Sequence, residues 1–196
     1  GYSLDGTVTA SGSITAGELV LAGTSVTHSG TILVDGGTLI MTAGAGLQLV
    51  NEDKSLMVEV SQESPITGAA DLAGQALLQS GVVQASKAQF YGNQITHSGS
   101  VSAQSVTLAK FSAVSASQGS VSTSALSLSG GNDSKSGSSV DLSARTNQVS
   151  TLSASGFFDS LSVRSSSSMT VGEKPYPTNL LAAFAICSLS FARVSE

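Results

Sequence analysis

One ten-residue pattern recurs along this chain. GSITAGELVL at residues 12–21 matches GSVSAQSVTL at 99–108 and GSVSTSALSL at 119–128, giving the shared form G-x-[IV]-x-[AT]-x-x-[LV]-x-L. GVVQASKAQF at 81–90 fits at full length, and Gly30 to Met41 fits with a two-residue insertion within Asp35 to Thr38. Looser copies begin at Gly137, with Val140 and Leu142, and at Gly156, with Phe158, Leu161 and Val163. Gly81, Gly99, Gly119, Gly137 and Gly156 are 18, 20, 18 and 19 residues apart, and Gly12 and Gly30 are again 18 apart. The 51 residues from Gly30 to Gly81 leave room for two or three further coils with irregular connections.

A fixed period of this length is the first thing to settle about any chain, because it decides the architecture. Within each unit apolar and small polar residues alternate, as in Ile14 and Ala16, then Leu19 and Leu21. Period two means two short strands with one face inward, and the shift of phase at the x-x pair means a bend between them. Short strands at a period near nineteen predict a β-solenoid, in which each strand pairs in parallel with its counterpart one coil on. A single coil cannot offset the entropy of ordering its own residues, so several must stack and share one core.

Two regions depart from the repeat. Asn51-Glu52-Asp53-Lys54 lies between the apolar runs Leu47–Val50 and Leu56–Val60, which predicts a turn joining two strands that project beyond the coil. Residues 61–76, with Ser64-Pro65 and Gly68 to Gly74, read as a loop or short helical excursion. The solenoid is therefore expected over 1–165 with an irregular excursion around 51–76, and 166–196 as a linker with an apolar capping or tail segment. After Pro177, the run Leu180 to Ala192 predicts a short helix covering the open end, and it is too short to span a membrane.

Composition removes several function classes. With eight Lys plus Arg, a net charge of −5 and no basic cluster, the chain has little with which to neutralise phosphates, so no nucleic-acid partner is expected. Tryptophan is absent and aromatic residues are 5%, so stacking platforms are scarce. The lone Cys187 excludes an internal disulfide and any zinc site needing two thiolates. Charged residues are only 11%, which leaves a surface of hydroxyls and amides. Gly1 reads as the cut edge of a longer or processed chain, with no leader pattern at that end.

The sequence SVTHSGTILVDGGTLIMTAGAGLQL at 25–49, the polar turn at 51–54 and LMVEV at 56–60 resemble the later part of the secretion domain of filamentous-haemagglutinin-like adhesins. These are large bacterial exoproteins exported by two-partner secretion, and residues 77–163 follow their looser repeat. The resemblance implies a right-handed parallel β-helix with coils of about 18–20 residues. It implies a non-enzymatic stalk or adhesive scaffold, extracellular or at the outer surface of a Gram-negative-type bacterium. Host or neighbouring-cell glycans or proteins would be its partners, with an outer-membrane transporter during export. The asparagine-proline motifs expected early in such secretion domains are absent, which removes support for export by this segment alone. Two other classes share the architecture: the polymerising bactofilin-type β-helix and the glycan-active β-helix of phage tails and secreted lyases.

Candidate chemical residues are few. His28 and His97 hold both copies of Thr-His-Ser-Gly and account for every histidine in the chain. Placed three to four coils apart, at about 4.8 Å per strand, they are expected roughly 14–19 Å from one another, too far to share a metal ion. Each is expected at a coil corner, with the glycine permitting the turn and the histidine capping a local hydrogen bond. The carboxylates Asp35, Asp53, Asp71, Asp133, Asp141 and Asp159 fall at different phases of the repeat, mostly at turns, and do not form the clustered acids of a glycan-cleaving wall. Glu52, Asp53 and Lys54, and Asn132-Asp133, read as solvated turns, and Gly130-Gly-Asn-Asp is only a fragment of a calcium-binding nonapeptide. The outward threonines do not align as an ice-binding array would need. No catalytic, cofactor-binding or metal-binding residues and no cofactor are expected.

Overall fold

A computed structural model describes residues 2–44, 46–52, 55–59, 76–130 and 137–172. The alternating segments become strands, and the described residues contain no helix. After β1 (Tyr2–Ser3), the first repeat supplies β2 (Thr7–Ala10), β3 (Ser13–Ala16) and β4 (Leu19–Gly23), and the second β5 (Ser25–His28), β6 (Thr31–Val34) and β7 (Thr38–Ala43). Two strands outside the repeat follow, β8 (Gly46–Glu52) and β9 (Ser55–Glu59). The third repeat is β10 (Ala76–Gln79) and β11 (Val82–Gly92), the fourth β12 (Gln94–His97) and β13 (Ser100–Ala109), and the fifth β14 (Ala113–Ser115) and β15 (Ser120–Ser129). The last two are β16 (Ser138–Leu142) with β17 (Gln148–Ser155), and β18 (Phe158–Val163) with β19 (Thr170–Val171).

These strands form two parallel sheets, and the chain passes from one to the other in every repeat. The seven-stranded sheet has the order β18-β16-β14-β12-β10-β5-β2, and the nine-stranded sheet contains β19-β17-β15-β13-β11-β6-β3 together with β4 and β7. Equivalent residues meet in register, as in Val83↔Val101 and Val101↔Val121. Parallel order follows from the repeat, because a strand that returns after a full period runs in the same direction as its predecessor. The inward positions form one core, with Ile32, Val83, Val101 and Val121 stacked from the nine-stranded sheet against Val26, Leu77, Ile95, Val114 and Val140 from the other. Each such buried side chain contributes about 1.5–3 kcal/mol.

Three expectations are corrected by the pairing. Gly30 and Gly81 are one ladder step apart, because β5 pairs directly with β10 and β6 and β7 with β11. The extra length of chain leaves the ladder after β7 and returns at β10. Part of it is the antiparallel pair β8–β9, in register from Gln48↔Glu59 to Glu52↔Ser55, with β1 added antiparallel to β8. Secondly, Gly137 and Gly156 are not equivalents of Gly119. The strands after them join the seven-stranded sheet, with Val140 beside Val114, whereas the continuation of Gly119 is β17, with Gln148 beside Ser122. A chance spacing of 18 hid a change of phase. In the correct phase Asn147 occupies the inward position of Val121. Buried there, it accepts from the Val121 amide at 2.9 Å through Oδ1 and donates to the Leu142 carbonyl at 2.8 Å through Nδ2.

The third correction concerns the corner glycines. Gly30, Gly81, Gly99 and Gly119 do not have positive φ, which among the described glycines belongs to Gly36 and Gly156. Their need for glycine is the close approach of the preceding repeat. A Cβ on Gly30 would overlap the Gly12 carbonyl oxygen, one on Gly81 the Gly30 oxygen, and one on Gly99 the Gly81 oxygen. The glycine column thus records how tightly one repeat sits on the last, not how sharply the chain turns. Residues 170 and 171, expected in the linker after 165, instead add β19 to the nine-stranded sheet, while the short helix expected over 180–192 with its tail, the excursion at 61–75 and the turn at Asn132-Asp133 lie outside the described residues.

Candidate functional site

Both histidines point inward. The register places Ala10, His28, Gln79 and His97 in one column of the seven-stranded sheet, so two ladder steps, about 10 Å, separate the imidazoles instead of three or four. His28 has no exposed surface and neither ring nitrogen has a partner. His97 is hydrogen-bonded through Nδ1 to Gln79 Oε1, and its Nε2 lies 3.0 Å from the Ser120 carbonyl oxygen. These contacts reach across repeats, so the expected local cap is not formed.

Burial lowers the pKa of both rings, and at His97 the Ser120 carbonyl and Gln79 oppose that effect. The orientation of Gln79 is fixed, because its Nε2 donates to the Gly81 carbonyl at 2.8 Å. The imidazole of His97 therefore faces two oxygen acceptors, and a neutral ring has one N–H to offer them. Beside His97 and Gln79 is an apolar-lined void of about 20 Å³, large enough for one water molecule. This column is interior structure, closed to any ligand of useful size.

The acids are dispersed. Asp35 is exposed after β6, Asp141 in β16 accepts from the Ser143 amide at 3.1 Å, and Asp159 is the bulge residue where β18 slips against β16. Asp53, Asp71 and Asp133 lie outside the described residues, as does Cys187. Among the described residues no three His, Cys, Asp or Glu side chains come together to hold a metal ion.

Among the described residues, a concave surface large enough for a ligand is on the outer face of the nine-stranded sheet. There outward positions leading up to the bend in successive repeats line one shallow, open hollow of about 600 Å³. One column is Gln84, Ser102, Ser122 and Gln148, paired in register over four repeats. Beside it run Gln104, Ser124 and Ser150, and Ser167 of the final serine run also lines the hollow. The floor is Ala85, Ala103 and Thr123, the [AT] position of the sequence pattern. Thr123 shows what that position does: its hydroxyl is buried, 3.1 Å from the Gln104 carbonyl and 2.9 Å from that of Ala125, and it accepts from the Ala125 amide at 3.3 Å. The side chain satisfies backbone groups that the bend would otherwise leave unpaired.

No lining residue carries a charge or an aromatic ring. Sequence reasoning missed this site, although a signal was present: the positions two and four residues before the bend's apolar core residue are uncharged and polar in repeat after repeat, as in Ser102 with Gln104 and Ser122 with Ser124. Comparison with known proteins gives no further bearing: no family model, no curated protein and no solved structure matches the chain.

Proposed function

We propose that the paired parallel sheets are the walls of a right-handed β-helix, and that the chain is a segment of a non-enzymatic surface exoprotein of the filamentous-haemagglutinin kind. Its role in this reading is an elongated scaffold that holds an uncharged, hydroxyl- and amide-rich wall away from the cell for attachment. The observation that supports it is the in-register column running through seven repeats, from β2 to β18. Six steps of about 4.8 Å give a stack of roughly 29 Å, and nothing limits such a stack except the number of repeats. The interior is filled by apolar side chains and by His28, Gln79, His97 and Asn147, which leaves catalysis no enclosed site among the described residues.

Export and attachment test the proposal together. The full reading frame, expressed with and without a two-partner outer-membrane transporter, is expected to reach the medium or cell surface only when the transporter is present. Cells lacking the repeat region are expected to lose attachment while growing normally. Recovery of the protein as cytosolic filaments, as the bactofilin alternative requires, or attachment unchanged by the deletion, would overturn it.

A further inference from the structure

We infer that the hollow on the outer face of the nine-stranded sheet is a binding groove for a neutral polysaccharide. The inference rests on the scaffold reading for its setting, but its argument is the chemistry of the lining. Gln84, Gln104 and Gln148 carry both donors and acceptors, and none of these three amides makes a side-chain hydrogen bond within the described protein. Ser102, Ser122 and Ser124 add hydroxyls that both donate and accept, all on exposed positions. A surface in which nearly every group can serve in either role complements a ligand built of hydroxyls, which has the same property.

Other ligand classes fit less well. Phosphate or sulfate groups would find no lysine or arginine in the lining, and cationic chains would find no carboxylate. A peptide adding itself as a strand needs an open sheet edge, whereas the groove lies on a face whose strands β11, β13, β15 and β17 are paired on both sides. Without aromatic rings each sugar is held by hydrogen bonds alone, so the affinity of one groove is low. Repetition along a polymer raises it, because several grooves on neighbouring molecules can engage one strand.

Affinity electrophoresis of the full chain through gels containing dextran, hydroxyethyl cellulose or galactomannan, with heparin and dextran sulfate in parallel, tests this directly. At least one neutral polymer is expected to retard the protein, with little dependence on salt. Gln104→Ala with Gln148→Ala is expected to weaken retardation roughly three- to tenfold for each hydrogen bond lost, and Ser122→Trp, which blocks the middle of the hollow, to abolish it. Thr96→Ala, on the outer face of the other sheet, is expected to have no effect, and circular dichroism of all variants should match the parent. Retardation by none of the neutral polymers, by the sulfated ones alone, or retardation insensitive to the groove variants would overturn the inference. If attachment persists in the deletion-sensitive form while neutral polymers are not bound, only the groove is lost; if both fail, so is the scaffold reading.

Discussion

The two copies of Thr-His-Ser-Gly fold alike yet leave their histidines in different states. His28 and His97 occupy the same column, both buried, and each ring lies beneath a glycine of the following repeat, Gly81 for His28 and Gly119 for His97. The difference is made by Gln79, the residue between them. Its amide is turned toward His97 and the Gly81 carbonyl, so His97 gains a partner and His28 is left with none. A repeated motif thus fixes a position in the fold, and the neighbouring repeats decide the chemistry at that position.

The glycines above the rings allow the sharpest attack on this comparison. Gly81→Ala would drive a Cβ into the Gly30 carbonyl oxygen and to 2.7 Å from His28 Cε1, a backbone overlap that the histidine cannot relieve. It is expected to cost about 3 kcal/mol or more in urea denaturation, and adding His28→Ala should recover little. In Gly119→Ala the nearest atoms belong to the His97 ring, with Nε2 at 2.6 Å, although the His97 carbonyl oxygen also lies at 2.8 Å. There the loss in the double variant with His97→Ala should fall short of the sum of the two single losses by about 1–2 kcal/mol. Equal coupling in the two pairs would mean that the rings are not stacked as described.

That contrast also marks what a reader of the sequence alone can and cannot extract. Strand alternation in 99–108 and 119–128 is strict, so the strands, their parallel order and the inward set Val101, Val106, Leu108 and Val121, Leu126, Leu128 are legible. Phase is not, wherever a corner lacks its glycine. At the sixth repeat the column position of Gly119 is taken by the Arg145 region, and Asn147 replaces a core valine by bonding to backbone on both sides. An asparagine there reads as a turn, because the Val121 amide that its oxygen accepts from belongs to the preceding repeat, 26 residues away. The direction of the histidines was hidden for a similar reason: Ala10 and Gln79 in the same column look like a tolerant surface until the register stacks them inside. The groove was least visible, since glutamine and serine on outward positions are what any soluble wall carries, and only the register of successive repeats brings them side by side.

Removal of the His97 ring should have the next largest effect. His97→Ala deprives the buried Gln79 oxygen of its donor and enlarges an existing void, for an expected loss of about 2–3 kcal/mol. His97→Gln, which can still donate toward Gln79, should recover part of it. A loss below about 0.5 kcal/mol for His97→Ala would show that the Gln79 contact adds nothing.

His28 is expected to behave in the opposite way, and pH separates the two most finely. Because its ring has no partner, His28→Leu removes a buried polar group without orphaning another, and stability near pH 7.5 should change by about 1 kcal/mol or less. The acid side should differ more. Burial holds the folded pKa of His28 below its ordinary 6.5, so below that pH the unfolded chain binds a proton that the folded chain refuses. Stability from this source is complete above pH 6.5 and is lost as the pH falls toward the folded pKa. No Asp, Glu, Lys or Arg is buried among the described residues to compensate the charge. His97 shares the same sign, burial lowering its pKa while the Ser120 carbonyl and Gln79 favour its protonated form. Midpoints of urea unfolding between pH 7.5 and 5 should therefore fall steeply in the parent and less steeply in His28→Leu. Equal slopes would place the unpartnered histidine in contact with water, and the distinction between the two copies would disappear.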